Sequence, residues 1–307
     1  MPDNNTYLVT GASGALGRLV VEGLLRGGAT RVIATSRNPA SLADLAARGV
    51  VTREADFNRP ETLEPAFAGA THLLIISTHE VGSRADGHLR AVAAAKAAGV
   101  RHLFYTSHAA CDTSTSPVAP EHVVTERAIL SSGMTYTILR NFLYAENLLM
   151  VLGNALEEGR FYGTAGESRV SWLTRRDCAD AASGAMLHAD AHANRVYDVT
   201  GPRAYTYAEV AALLSQVEGR PIVYEDLSED GYVDLLVGRG LPRPAAEVLL
   251  GLELSLRSGE MEPVNDMVRT LTGREPETLE SFFRHGRGAA VAPESLDFLQ
   301  HEMHDRA

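Results

Sequence analysis

Lysine is almost missing from this chain. Of its 28 basic side chains only Lys96 is a lysine, and the other 27 are arginines. The usual short-chain dehydrogenase reduces a carbonyl with a Tyr-x-x-x-Lys pair, in which the ammonium lowers the pKa of the phenol so that it can deliver a proton. No tyrosine stands four residues before Lys96; that position is Val92. Cysteine is equally scarce. Cys111 and Cys178 lie far apart, with no CxxC and no nearby histidine at a metal-binding spacing, which excludes a disulfide framework and gives no metal site. No run approaches 18 consecutive apolar residues, so a membrane span is not expected. The opening Met1-Pro2-Asp3-Asn4-Asn5 lacks the basic and apolar regions of a signal peptide, and a cytoplasmic protein is the expectation. There is no long Lys/Arg stripe, and a formal charge of −11 repels a phosphate backbone, which argues against nucleic acid as a ligand.

What is present is a chain of 307 residues, 45% hydrophobic, long enough to bury a large core. Strand-like runs recur at 6–10, 30–35, 50–54, 71–77, 101–107, 135–140 and 195–200. Helical patterns fall between them at 15–27, 40–48, 61–68, 84–98, 121–132 and 143–158. This alternation predicts an α/β fold, a Rossmann-type doubly wound parallel sheet with ligands at the carboxyl ends of its strands. Beyond residue 150 the rhythm loosens. The reading is a dinucleotide domain over 1–150, to which the strand near 195–200 returns, then a smaller, mostly helical substrate lobe over 151–285 and a polar tail over 286–307. Within the lobe, Thr206 is positioned to cap a helix reaching to Glu218, and short helices over 221–285 are broken by Gly240-Leu241-Pro242 and Gly273.

The first strand runs into TGASGALG at 10–17 and then into a helix, which is the order a dinucleotide site requires. Gly11, Gly14 and Gly17 give the spacing GxxGxxG. Their missing Cβ atoms let main-chain amides approach a pyrophosphate, whose charge the helix N-terminus favours. The candidate cradle is therefore Gly11, Ala12, Ser13, Gly14, Ala15, Leu16 and Gly17, and an ordinary tight bend is the alternative.

The end of the second strand carries no acid to receive a ribose 2′-hydroxyl. It carries Ser36-Arg37-Asn38, where Arg37 offers a guanidinium fork to a 2′-phosphate and Ser36 or Asn38 can add donors, which favours NADP over NAD. A solvated arginine in a turn is the competing reading. At the end of the third strand, Asp56 can accept from an adenine amino group and Phe57 can wall the base. Ser77, Thr78, His79 and Glu80 end the fourth strand, beside the expected ribose and nicotinamide. Either segment is also compatible with a simply capped strand end.

Four segments, TGASGALG at 10–17, SRNPASL at 36–42, AAKAAGVRHLFYTS at 94–107 and YTILRNFLYAEN at 136–147, together resemble the NmrA-like atypical short-chain dehydrogenases, and within them the bacterial quinone and triphenylmethane reductases. The likeness extends through EHVVTERAIL at 121–130 and to about residue 285. It implies an extended Rossmann fold, NADPH as hydride donor, no flavin, and a quinone or comparable conjugated acceptor. It carries the cofactor role onto Gly11 through Leu16, Arg37, Thr78, His79 and Glu80, and places Asn141, Tyr144 and Asn147 near cofactor and acceptor.

With no Tyr-x-x-x-Lys pair, the expected reaction has a light proton demand. Hydride arrival on a quinone yields an aromatic hydroquinone anion that water or a weak donor can protonate, so catalysis would be chiefly positioning. Tyr144, Asn141 and His122 are the candidate catalytic residues, although a histidine at a helix start more often only satisfies backbone groups. Trp172 can floor an acceptor pocket or simply pack. Arg175-Arg176 reads as a salt-bridged surface pair, and Leu148, Leu149, Met150 and Leu152 as helix core. A homodimer is expected as a general prior for soluble enzymes. Some NmrA-like members bind NADP(H) as sensors without turnover, and that alternative stays open at this point.

Overall fold

A computed structural model describes residues 5–152 and 155–286. In chain order it runs β1 (Tyr7–Val9), α1 (Ala15–Arg26), β2 (Val32–Ser36), α2 (Ala43–Ala46), β3 (Val51–Glu54), α3 (Leu63–Phe67), β4 (His72–Ile75), α4 (Arg84–Ala97), β5 (His102–His108), α5 (Ala119–Ser131) and β6 (Thr135–Asn141). It continues with α6 (Ala145–Leu152), α7 (Ala155–Glu158), β7 (Arg160–Gly163), α8 (Arg175–Leu187), β8 (Arg195–Val199), α9 (Tyr207–Glu218), β9 (Val223–Asp226), α10 (Glu229–Gly238), α11 (Arg243–Leu256), α12 (Met267–Thr272) and α13 (Leu279–Ser281). No helix among the described residues is long and apolar enough to cross a membrane.

Seven strands form one sheet in the order β3-β2-β1-β4-β5-β6-β8, every pair parallel. Helices cover both faces, so the inner strands are buried throughout β1, β2 and β4. The edge strands β3 and β8 are mostly half-buried or exposed. This is why the inner strands read as near-continuous apolar runs while VTRE and RVYDV mix polar and apolar residues. On one face α1 and α8 pack on the sheet with Val9, Leu74, Phe104 and Leu139. On the other, α3, α4 and α5 enclose Leu8, Leu73, Leu103, Tyr105 and Ile138. The order reverses between β1 and β4, which opens a crevice at their carboxyl ends.

A separate core gathers Phe142, Leu148, Phe161, Trp172, Tyr207 and Phe283. It holds a feature the sequence reading missed: β7 and β9 pair in parallel as a two-stranded sheet within the mostly helical segment. RFYG and VYED are four residues each, too short to display a period, and only Phe161 and Gly163 are fully buried. The expected cap on α9 is a full capping box. Glu209 N–H donates to Thr206 Oγ1 at 3.1 Å, and Thr206 N–H donates to Glu209 Oε2 at 2.9 Å. The helices expected at 40–48 and 61–68 are shorter, each entered through a 3-10 turn that starts at a proline, Pro39 and Pro60. The single helix expected at 143–158 is divided into α6 and α7, and Met150, whose side chain was read as core, lies where side chains are outside the described set.

Candidate functional site

The glycine turn sits where β1 meets α1. Gly11 takes φ +59°, a left-handed conformation that disfavours side chains, and its carbonyl accepts from Gly14 N–H at 3.0 Å. A Cβ on Gly17 would lie 2.3 Å from the Gly11 carbonyl oxygen and 2.9 Å from the Ala12 Cα, so only glycine lets the first turn of α1 close against the loop. Gly14 is the N-cap and offers no side-chain acceptor, and no acid lies in the first turn. The leading amides of α1 are therefore left for an anion.

Ser13 and Ser36 tie this turn to the end of β2, where Ser36 Oγ donates to Ser13 Oγ at 3.0 Å and accepts from Asn38 N–H at 3.1 Å. Arg37 projects into solvent, its side chain 71% exposed, and faces Glu80 with Nη1 3.6 Å from Oε1. The other Glu80 oxygen accepts from Asn58 Nδ2 at 3.0 Å, so three strand ends meet over one opening. Asp56 turns its Oδ1 to Asn58 N–H at 2.9 Å, the capped-end arrangement, and Phe57 lies edge-on to His88 at 6.1 Å.

Past β4 the chain is held from below. Thr78 N–H donates to His88 Nε2 at 3.1 Å, and the Thr78 carbonyl accepts from Arg84 Nη1 at 3.2 Å. His88 Nδ1 lies 3.0 Å from Thr125 Oγ1, which itself donates to the Glu121 carbonyl at 2.9 Å. Because Nε2 must accept, His88 is neutral with its proton on Nδ1, and burial lowers its pKa to about 3. Arg84 Nη2 also donates to the Val118 carbonyl at 3.1 Å, its Nε lies 3.0 Å from Glu121 Oε2, and Glu121 accepts from Gly82 N–H at 3.0 Å. With both main-chain groups engaged, Thr78 Oγ1 remains buried and without a partner. Sequence reasoning did not find His88, Arg84, Glu121 or Thr125, because their partners are brought together only by the packing of α4 on α5.

Asn141 ends β6 in register with His108 on β5. Its Nδ2 donates to Tyr144 Oη at 3.3 Å, while its Oδ1 is buried with no partner. Tyr144 bridges to Leu173, and burial raises its phenol pKa, so the O–H stays protonated at neutral pH. Asn147 Oδ1 accepts from Arg175 Nη2 at 3.1 Å, and the Arg175 guanidinium lies 5.4 Å from the centre of the Tyr144 ring. His108 donates from Nδ1 to the Ala109 carbonyl at 2.7 Å.

His122 makes no hydrogen bond to this cluster among the described residues, and its ring lies 5.8 Å from that of His108. It is buried on α5 with Nδ1 2.8 Å from Tyr105 Oη, and burial together with Arg84 lowers its pKa to about 2. The ring is neutral and its partner is a phenol rather than the main chain. Trp172 is packed into the second core, stacked on Tyr207 at 6.3 Å. Arg176 makes the expected salt bridge, and Arg175 makes none among the described residues. Cys111 and Cys178 are buried and free, and Lys96 is exposed in the last turn of α4.

The NmrA-like family model matches residues 3–283. The chain belongs to the NmrA-like family. Quinone oxidoreductase 2 of Escherichia coli is 38% identical over 278 residues, covering 90% of this chain and 97% of that protein. Its NADPH complex superposes with a TM-score of 0.87, covering 91% of this chain and 99% of that one. The NAD(P)H azoreductase of Xenophilus azovorans is 34% identical over 280 residues, covering 90% and 96%. The Citrobacter triphenylmethane reductase complexed with NADP(H) is 34% identical, with a TM-score of 0.85 and coverage of 91% and 99%.

Proposed function

We propose that this protein is an NADPH-dependent reductase that passes hydride to a quinone or a similar conjugated electrophile, without flavin and without a Tyr-x-x-x-Lys pair. One observation carries the reading within the family frame. Two of the buried polar atoms that lack partners among the described residues, Thr78 Oγ1 and Asn141 Oδ1, lie at the carboxyl ends of β4 and β6, on either side of β5. A buried polar atom left unpaired costs about 1–3 kcal/mol, and a ligand that bonded both would remove that cost.

NADPH, when bound, supplies a hydride from its nicotinamide. The residues from Gly11 to Gly17 would take the pyrophosphate against the open amides of α1. Arg37, 71% exposed, would turn from Glu80 to take the 2′-phosphate, with Ser36 behind it. Phe57 and Asp56 border the adenine side. Ser77, Thr78, His79 and Glu80 line the ribose and nicotinamide side, where the clamp from His88 and Arg84 holds the Thr78 peptide ready before anything binds.

On the acceptor side, Tyr144 already accepts from Asn141 Nδ2, so its own proton is free to donate to a carbonyl oxygen of the acceptor. Its raised pKa makes it a hydrogen-bond donor rather than an acid that gives its proton up. His122, neutral and turned to Tyr105, supports α5 against the sheet and is not the proton source in this reading. The second proton of the hydroquinone comes from water.

The test is steady-state oxidation of NADPH by purified, flavin-free protein with a panel of benzoquinones and naphthoquinones, followed by the loss of reduced-nicotinamide absorbance. Turnover above the uncatalysed rate is expected. Tight NADPH binding with no turnover on any quinone, azo dye or triarylmethane dye would instead support a coenzyme-sensing protein.

A further inference from the structure

The two arginines that open α8 are adjacent in sequence and opposite in circumstance. Arg176 is exposed and pairs with Asp180 at 3.1 Å. Arg175 is half-buried and makes no ion pair among the described residues. Its Nη2 donates to Asn147 Oδ1 at 3.1 Å, and its guanidinium carbon stands 5.4 Å from the centre of the Tyr144 ring. The adjacent carboxylate, Glu146, directs its oxygens, at 3.1 and 3.0 Å, to the main-chain N–H of Arg175 and not to the guanidinium. The start of the helix is otherwise closed by Thr174 Oγ1, which accepts from Asp177 N–H at 3.1 Å. The Arg175 guanidinium thus donates no hydrogen bond in closing the helix end. It is held between Tyr144 and Asn147 with donors to spare.

We propose that Arg175 is a positioning residue of the acceptor site, supplying through Tyr144 the fixed positive charge against which negative charge develops on the acceptor. The inference rests on the reductase reading. A quinone that takes hydride gains two electrons and one proton and becomes a hydroquinone anion, while the coenzyme is oxidised to NADP⁺; water then gives the second proton. The charge that must be stabilised appears on the quinone oxygen facing the Tyr144 hydroxyl. A guanidinium beside that phenol strengthens its O–H as a donor without removing its proton. This is the office an ammonium would fill in a chain with lysines to use, and arginine, which stays charged at any working pH, fills it with a planar fork that also fixes Asn147.

The test compares Arg175→Gln, which keeps a donor for Asn147 but not the charge, with Arg175→Met and Arg175→Lys. For a series of benzoquinones, kcat should fall roughly 10- to 100-fold in Arg175→Gln and Arg175→Met, somewhat less than the ~100- to 1,000-fold typical for removing a donor that touches the oxyanion directly. NADPH affinity and melting temperature should stay near wild type. Arg175→Lys should recover most of the loss, and the loss should grow for quinones of lower reduction potential, whose transition states carry more charge. Wild-type kcat in Arg175→Gln would overturn the proposal, as would an Arg175→Lys variant no better than Arg175→Met. If the wild type binds NADPH yet reduces no quinone, the reductase reading has failed; if the wild type is active and Arg175→Gln equally so, only the role of Arg175 has.

Discussion

Thr78 gives its main-chain N–H to His88 Nε2 at 3.1 Å, a bond that exists only while the imidazole is neutral. It joins the loop after β4 to the interior of α4, and Arg84 holds the carbonyl of the same residue, in the next peptide, at 3.2 Å. The loop that borders the proposed nicotinamide site is therefore held by two side chains of α4.

Replacing His88 by Phe keeps the ring volume and removes the acceptor. The Thr78 N–H is then left unpaired at a cost of about 1–3 kcal/mol. NADPH affinity, followed by fluorescence titration, should weaken by about tenfold, while Arg37-dependent discrimination between NADPH and NADH stays as it was.

In the proposed reading, coenzyme choice resides in Arg37. Arg37→Ala should weaken NADPH binding by roughly 10- to 100-fold, the worth of a charge-assisted bond to a phosphate, and leave NADH within about threefold of wild type. Calorimetric titration with both coenzymes reads this directly. Equal losses for the two would show that Arg37 does not touch the 2′-phosphate.

Gly17→Ala places a methyl 2.3 Å from a main-chain oxygen that cannot rotate away. Overpacking of this kind costs about 1–3 kcal/mol. The variant should melt several degrees lower and bind NADPH at least tenfold more weakly, since relief requires opening the turn proposed to cradle the pyrophosphate.

Three buried histidines make stability depend on pH. His88, His102 and His122 have pKa values lowered to about 3, 4 and 2, chiefly by burial. In the unfolded chain each titrates near 6.5, so between that value and the folded pKa the unfolded state binds more protons, and stability falls as pH falls. The contribution is complete above about pH 6.5. Below it each histidine removes up to about 1.4 kcal/mol per pH unit. Urea denaturation at pH 7 and pH 5 should show the loss, with little change between pH 7 and pH 8.

The parts legible in the sequence are those with local causes. Alternating apolar runs and helical spacings announce the parallel sheet, the glycine turn lies between strand and helix, and Thr206 announces the cap of α9. The parts that were not legible depend on packing between distant segments. Tyr105 finds His122 seventeen positions away, and Arg84 finds Glu121 across two helices. The β7-β9 pair escaped because four-residue strands with half-exposed faces carry no period. Arg175 was misread with Arg176 as a surface pair because adjacent residues on a helix point in different directions, a fact that only the placement of Tyr144 and Asn147 resolves.

The most direct test of the account is a single-turnover reaction of flavin-free protein with NADPH carrying deuterium at the transferred position of the nicotinamide, mixed with one equivalent of benzoquinone. The account predicts stoichiometric oxidation, slowed by a primary isotope effect, with the label on the hydroquinone or exchanged to water from its hydroxyl and no flavin absorbance at any time. Bound coenzyme that stays reduced in the presence of quinone, or oxidation that appears only after flavin is added, would contradict it.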